Sequence, residues 1–381
     1  MSEGYGNSKH LTRCALLGDP VVRPAAGPLA VHYCARQAGV PLREYTLNPR
    51  VLAECVIRYY EEFRPDAVWV SADTWVTAEA MGKAVAFPGP DQPLGGSGEP
   101  LVRSSADLAR IPPPDPSSQG RWPRMLEAVQ RVVEALGNEV FVVACFDQYP
   151  FSLACALMGM EKVMLALWSD RPLVEALLER CAEYTTAYAL ALADAGADML
   201  SGGDSPAGLI GPRFYREVAL PAEQRVIAAV KSRSSLPVSL HICGSAIAIL
   251  ADMASAGADV LELDHQVEIT AACRIVPPRI ALWGNLDPVG LLARGGVQEV
   301  RQATRSLLET VAASGHRRFV LSSGCTLAVD TPPENLAAVL DVARLFGPLF
   351  PTSEDCPDFC GDQAGRGRHT NGTVPFGTAG V

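Results

Sequence analysis

His241-Ile-Cys243, with Cys325 82 residues further on in the run Leu321-Ser-Ser-Gly-Cys325, supplies one imidazole and two thiols. These are zinc-ligand types, and three of them leave one of the metal's usual four positions open. A closed four-ligand set is as a rule structural, whereas an open three-ligand set goes with chemistry. The stretch 237–242 reads as a short strand, and residues i and i+2 of a strand project from one face. His241 and Cys243 can therefore reach the same ion, and Gly324 lets the backbone bring Cys325 toward it. The chain holds 11 cysteines, however, and buried free cysteine is common as a small hydrophobe. By residue type alone, a metal site and a scatter of core thiols fit equally well. The elements that carry the three residues must decide.

Those elements alternate. Short β-branched runs at 66–71, 140–146, 198–201, 237–242, 259–263, 279–283 and 318–322 read as strands, with a further one in the irregular stretch 15–26. Amphipathic segments at 161–195, 212–232, 245–257, 296–314 and 333–346 lie between or after them. Near-continuous apolar strands alternating with helices are the mark of a parallel sheet covered by helices, and eight such units suggest a barrel. The expected fold is α/β: a single (β/α)8 barrel over residues 1–350, with an N-terminal extension. Two joints share the wording Ala195-Gly-Ala-Asp198 and Ala256-Gly-Ala-Asp259. Shared helix-to-strand chemistry explains this more simply than duplication, because glycine ends the helix and the chain turns straight into the strand.

Two stretches break the pattern. Residues 87–120 are rich in Pro and Gly, which predicts an ordered excursion or a mobile lid. Residues 351–381 have no periodicity, and a flexible tail is the expectation there despite the Cys356/Cys360 pair.

Composition narrows the function. The chain has 381 residues, 48% of them hydrophobic and 19% charged, which is ample for a large core. A net charge of −10 and a pI near 5.2, with no basic run, argue against a nucleic-acid surface. No run of about 18 apolar residues is present to cross a membrane, and the polar N-terminus has no apolar targeting core. An odd number of scattered cysteines fits reduced thiols better than a disulfide framework, so a cytoplasmic location is expected.

Barrel enzymes place their chemistry at the C-terminal ends of the strands. In order, the proposed ends carry Asp73, Asp147, Asp204, His241 with Cys243, Asp264, Asn285 and Cys325. Asp and Asn often terminate strands or cap helices, and Asp147 and Asp287 are read that way. His241, Cys243 and Cys325 are poor caps.

With these motifs in view, the chain resembles the uroporphyrinogen decarboxylase superfamily, and within it the zinc-dependent, cobalamin-linked methyltransferases. The likeness runs from about 64 to 346. It rests on the Asp-bearing strand end and helix at 71–82, on the stretch 202–221, and most specifically on His241-Ile-Cys-Gly244, Trp283-Gly-Asn-Leu-Asp-Pro288, Ser322-Ser-Gly-Cys325 and Asp330-Thr-Pro-Pro-Glu-Asn335. A decarboxylase would resemble Gly-His where Gly324-Cys325 stands. It would also carry a second arginine after Arg36-Gln-Ala-Gly39, where this chain has Val40. A polycarboxylate substrate is hard to reconcile with that loss, and the uroporphyrinogen-type decarboxylase is the weaker reading.

The resemblance implies that His241, Cys243 and Cys325 bind zinc and that a methyl group passes between a corrinoid and a small molecule. The acceptor would be a thiol such as coenzyme M; in the opposite direction the donor would be a methoxylated aromatic compound. The D-x-H-x-x-G pattern of cobalamin binding is absent, so the corrinoid is expected on a partner protein docking at the barrel mouth. Asp73, Asp204 and Asn285 are expected in the cavity as orienting groups, Asp204 being the first candidate for substrate contact because Gly202-Gly203 lets its loop bend inward. Trp75, Phe146, Tyr149 and Phe151 would then line an aromatic mouth. A non-catalytic zinc- or corrinoid-handling barrel is the alternative from another class.

Overall fold

A computed structural model describes residues 7–89 and 93–350. Eight parallel strands form one sheet: β1 Ala25–Ala26, β2 Ala67–Val70, β3 Phe141–Gln148, β4 Met199–Gly203, β5 Ser239–Ile242, β6 Val260–Leu263, β7 Ala281–Leu286 and β8 Phe319–Ser323. The order β1-β8-β7-β6-β5-β4-β3-β2 runs round a barrel. At the seam the Asp66 amide donates to the Ala26 carbonyl at 2.8 Å, and the Asp66 carboxylate accepts the Ala26 amide at 2.9 Å.

Side-chain parity divides the interior. Ala67 and Trp69, Phe141 and Val143, Met199, Val260, Ala281 and Trp283, and Val320 pack together inside the barrel. Val68, Val142, Ala144, Leu200, Leu240, Leu261, Leu282 and Leu321 pack outward beneath the helices. Both faces are buried, which is why the strands are near-continuous apolar runs. The floor is closed by the helix Ser8–Leu17, whose Leu11, Ala15 and Leu16 pack against the interior set. The expected N-terminal extension is thus a plug, and only Ala25–Ala26 of the stretch 15–26 is strand.

The expected helix at 161–195 is two helices, Met160–Ser169 and Arg171–Asp194, separated at Asp170, whose side chain caps the Leu173 amide. The expected helix at 245–257 is reduced to a 3-10 turn, Ala246–Ile249, and the single turn Leu250–Met253. Among its described residues, the excursion after β2 is ordered. Val85–Ala86 and Gly95–Gly96 form an antiparallel ribbon. Leu101 donates its amide to the Leu157 carbonyl at 2.8 Å, and the Tyr184 hydroxyl donates to the Pro112 carbonyl at 2.7 Å. No single helix among the described residues is long and apolar enough to cross a membrane. The tail expected at 351–381, with Cys356 and Cys360, lies outside the described residues.

Candidate metal centre and cavity

The C-terminal ends of the strands open on a cavity of about 550 Å³. His241 comes from β5, Cys243 follows that strand, and Cys325 lies on the loop after β8. Their ligand atoms all lie within 4.8 Å of one another. His241 Nε2 is 3.0 Å from Cys243 Sγ, and the two sulfurs are 3.8 Å apart. Ideal tetrahedral zinc with Zn–S and Zn–N bonds of ordinary length has ligand–ligand edges of about 3.6–3.8 Å; the sulfur–sulfur edge matches, the nitrogen–sulfur edge is shorter, and the donor types suit that ion. Gly324 is required, because a Cβ there would collide with the His265 amide. His241 Nδ1 pairs with the Glu262 carbonyl at 3.0 Å, which assigns the proton to Nδ1 and turns the Nε2 lone pair toward the sulfurs.

The three groups perturb one another. Cys243 is drawn down to about 7 by its hydrogen bond with Cys325, burial opposing and Ser205 assisting. Cys325 is pushed up to about 12 by the same hydrogen bond and by burial. Burial lowers His241, but Cys325 and Glu262 outweigh it and hold the ring up to about 9. One thiolate is easy to form here and a second is resisted, unless a cation joins the set.

The other expected site residues divide. Asp73 borders the cavity, but its carboxylate is held by Arg121, with contacts of 2.6 and 3.1 Å, and accepts the Trp75 amide at 2.7 Å. Asp204 does not line the cavity. Inward parity on β4 falls on Met199, Ser201 and Gly203, so Asp204 turns outward, is fully buried, and accepts the Ser152 amide near the start of helix Pro150–Met158. Its partner there is Glu223, which in turn accepts the Tyr215 hydroxyl at 2.6 Å. Asn285 also stays out of the cavity, its amide donating to the carbonyls of Asp264 and Val267 at 3.1 and 2.7 Å. It staples the loop after β6. Phe146, Tyr149 and Phe151 are fully buried core and form no aromatic mouth. Trp75 lines a neighbouring hollow that shares Gln148, Ser152 and Pro206 with the cavity.

Two cavity carboxylates exceed the sequence reading, which does not single out Glu262 and takes Asp147 as a strand terminator or helix cap. Glu262, register partner of His241, is buried and accepts the hydroxyls of Ser201 (2.7 Å) and Ser239. Burial raises its pKa, with His241, Ser239 and Ser201 opposing. Asp147, next to last in β3, has φ +69° and is 4% exposed, and no side-chain donor bonds its carboxylate among the described residues. Burial and the adjacent Asp73 push its carboxyl well up, against Arg121 and the Thr77 amide. Strand parity was the available signal for Glu262, since 260 and 262 share one face; β3 shifts register between Cys145 and Gln148, so parity does not place Asp147.

A barrel with its polar groups and an open ligand set at the C-terminal rim is the architecture of an enzyme. The chain belongs to the uroporphyrinogen decarboxylase (URO-D) family, which it matches over residues 9–346. It is 30% identical over 349 residues to the uroporphyrinogen decarboxylase of Thioalkalivibrio sulfidiphilus, covering 87% of this chain and 96% of that one. It is 34% identical over 227 residues to the methylcobamide:CoM methyltransferase MtbA of Methanosarcina mazei, covering 59% of this chain and 64% of that protein, under two thirds of its length. Among solved structures, a methyltransferase from Methanosarcina mazei superposes with a TM-score of 0.81 at 26% identity, over 89% of this chain and 99% of that one.

Proposed function

We propose that this protein is a zinc-dependent methyltransferase that moves a methyl group between a corrinoid, carried by a partner protein, and a small molecule, in the cytoplasm where thiols stay reduced. The observation that carries this is the convergence of His241, Cys243 and Cys325 on the wall of one cavity. A zinc ion held by these three residues would supply the positive charge that keeps an incoming thiol ionised near neutral pH, or that polarises an aryl-ether oxygen. The protein's part is positional. Glu262 fixes the imidazole through its carbonyl, Ser205 supports Cys243 by accepting its amide at 3.4 Å, and Gly324 sets the approach of Cys325.

Charge speaks against a polycarboxylate substrate. The cavity lining contains Asp73, Asp147 and Glu262 and, among the described residues, no Arg or Lys. Arg36, the one arginine of the expected carboxylate grip, is exposed in the last turn of helix His32–Ala38. The 34% identity to a methylcobamide:CoM methyltransferase favours the same reading.

Two assays on purified, zinc-loaded protein test the proposal: methylcobalamin with a set of thiols, and Co(I) cobalamin with methoxybenzenes. Methyl exchange in either direction, lost on chelation and restored by zinc, is the expected result. Stoichiometric zinc with no exchange in either assay would leave a non-catalytic metal-binding barrel in its place.

A further inference from the structure

Most ionisable side chains of the cavity are already committed. His241, Cys243 and Cys325 converge as the proposed zinc ligands. Asp73 is held by Arg121. Asp147 has both carboxylate oxygens sealed in the wall, and the buried Glu262 holds the hydroxyls of Ser201 and Ser239. Burial and Asp147 push the Cys145 thiol far up. Among the described residues one ionisable group of the lining is left, His32. It opens the helix His32–Ala38 on the loop after β1, half-buried, with its ring held from two sides. Nε2 lies 2.7 Å from the Ala72 carbonyl, and the ring meets Tyr45 edge-on with centroids 6.2 Å apart. A carbonyl only accepts, so Nε2 carries the proton and, in the neutral ring, Nδ1 keeps its lone pair. Nδ1 has no hydrogen-bonded partner among the described residues and, unlike the Asp147 oxygens, is not sealed in. Adjacent loops tie this base to the metal centre. The Leu327 amide, just past Cys325, donates to the carbonyl of Leu29, just before His32, at 2.9 Å.

We infer that His32 exchanges the proton of the small-molecule substrate: Nδ1 takes the S–H proton of a thiol, directly or through one water. This rests on the methyltransferase reading and deepens it. With a methylated corrinoid on the partner protein the step balances. The sulfur electron pair forms the S–CH3 bond, the Co–C pair stays on cobalt, which passes from Co(III) to Co(I), and the proton remains on the imidazolium. In the opposite direction, with an aryl ether and Co(I), the same ring returns its proton to the leaving phenolate oxygen. Imidazole is the side chain suited to both tasks near neutral pH. A merely structural His32 would pin the start of its helix to Ala72 and leave the proton count untouched.

Calorimetry separates the two roles. 2-Mercaptoethanol is titrated into zinc-loaded protein of measured metal content at about pH 7.5, above the ordinary imidazole range and below the thiol's. Two buffers of different ionisation heat give the protons released per thiol bound. The parent is expected to release well under one proton, because His32 keeps it. His32→Gln can still donate to the Ala72 carbonyl but cannot take a proton, so it should release close to one. Its methyl transfer from methylcobalamin to the same thiol should fall by about 100-fold or more. Imidazole added to His32→Ala should restore part of that rate at unchanged zinc content, which keeps the test decisive where the glutamine variant folds poorly. Equal proton release by parent and His32→Gln, an undiminished rate in that variant, or no rescue of His32→Ala overturns this inference and leaves the methyltransferase proposal standing. A parent that moves no methyl group in either direction overturns the methyltransferase proposal, and this inference with it.

Discussion

The two ends of the barrel treat their carboxylates differently. At the N-terminal end Asp66, Asp198 and Asp259 each precede a strand and bracket a neighbouring one. Their amides donate to the carbonyls of Ala26, Val142 and Val238, and their carboxylates accept the amides of the same three residues. Cations complete the arrangement: Arg23 on Asp66, Lys9 and Arg13 on Asp198, Lys231 on Asp259. At the C-terminal end Asp73 is paired with Arg121, but Asp147 has no side-chain partner, Glu262 has only hydroxyls, and Asp204 faces another buried carboxylate. Cation-paired carboxylates set strand register and close the seam; those without a cation are pushed toward the protonated form. The lesson is that a barrel's working end is recognised by unmet hydrogen-bonding capacity more than by polar residues as such.

The largest expected effect separates the ends outright. Cys325→Ala removes one of the three proposed zinc ligands, so zinc affinity should fall by more than the about 10- to 100-fold seen for a lost ligand-orienting contact, and methyl exchange should vanish. The metal-free variant should melt within about 3 °C of the metal-free parent, because the exposed side of the loop after β8 holds no register. Metal analysis and a melting curve suffice. Full zinc occupancy with undiminished turnover would remove Cys325 from the centre.

Next comes a matched pair of Asp→Asn changes. Asp66→Asn strands the buried Arg23 guanidinium, now 2.7 Å from each carboxylate oxygen, and should destabilise by about 3–5 kcal/mol. Asp147→Asn should do the reverse above neutral pH. A carboxyl whose pKa is raised in the fold favours folding at low pH and loses that advantage as pH rises. Replacing it should therefore be neutral near pH 5 and neutral to stabilising by up to about 1 kcal/mol near pH 8. Denaturation midpoints at the two pH values decide. Equal losses at both positions would erase the distinction between the two ends.

Much of this division was legible from residue order. The strands, the barrel and the convergence of His241, Cys243 and Cys325 followed from hydrophobic runs and from an H-x-C pair on a strand. Alternation could have gone further on β4, where 199, 201 and 203 point inward and Asp204 outward, whereas β3 shifts register between Cys145 and Gln148 and puts both Asp147 and Gln148 at the cavity. Gly202-Gly203 suggested a loop bending inward, but a Cβ at Gly202 would clash with the Phe146 ring, so that glycine serves packing. Other features are non-local. Arg121 lies 48 residues from Asp73 and neutralises it across the excursion, which no spacing rule reveals. The plug Ser8–Leu17 looks like a weak helix, because its apolar stripe makes sense only against the barrel floor.

The smallest effect concerns the acid pair behind the rim. Asp204 and Glu223 are fully buried, and each has one oxygen, Oδ2 and Oε1, with no donor from another residue. They face each other and share a proton, Asp204 standing at about 6 against an ordinary 3.8, and Glu223 pushed up by burial and by Asp204. Both shifts are upward, so the pair stabilises the fold in acid and loses that contribution as pH climbs from about 4 through 6 and beyond. Glu223→Gln replaces the shared proton with a permanent amide donor to Asp204 while keeping an oxygen to accept the Tyr215 hydroxyl. The variant should match the parent near pH 4.5 and exceed it by about 1 kcal/mol near pH 7.5, read as a flatter dependence of the denaturation midpoint on pH. Because the Asp204 amide donates to the His241 carbonyl at 2.8 Å, zinc content should be measured alongside. Unchanged zinc with a flatter pH profile would assign this pair to the barrel's framework, with the register-setting aspartates of the opposite end. A parallel loss of zinc would assign it to the centre instead.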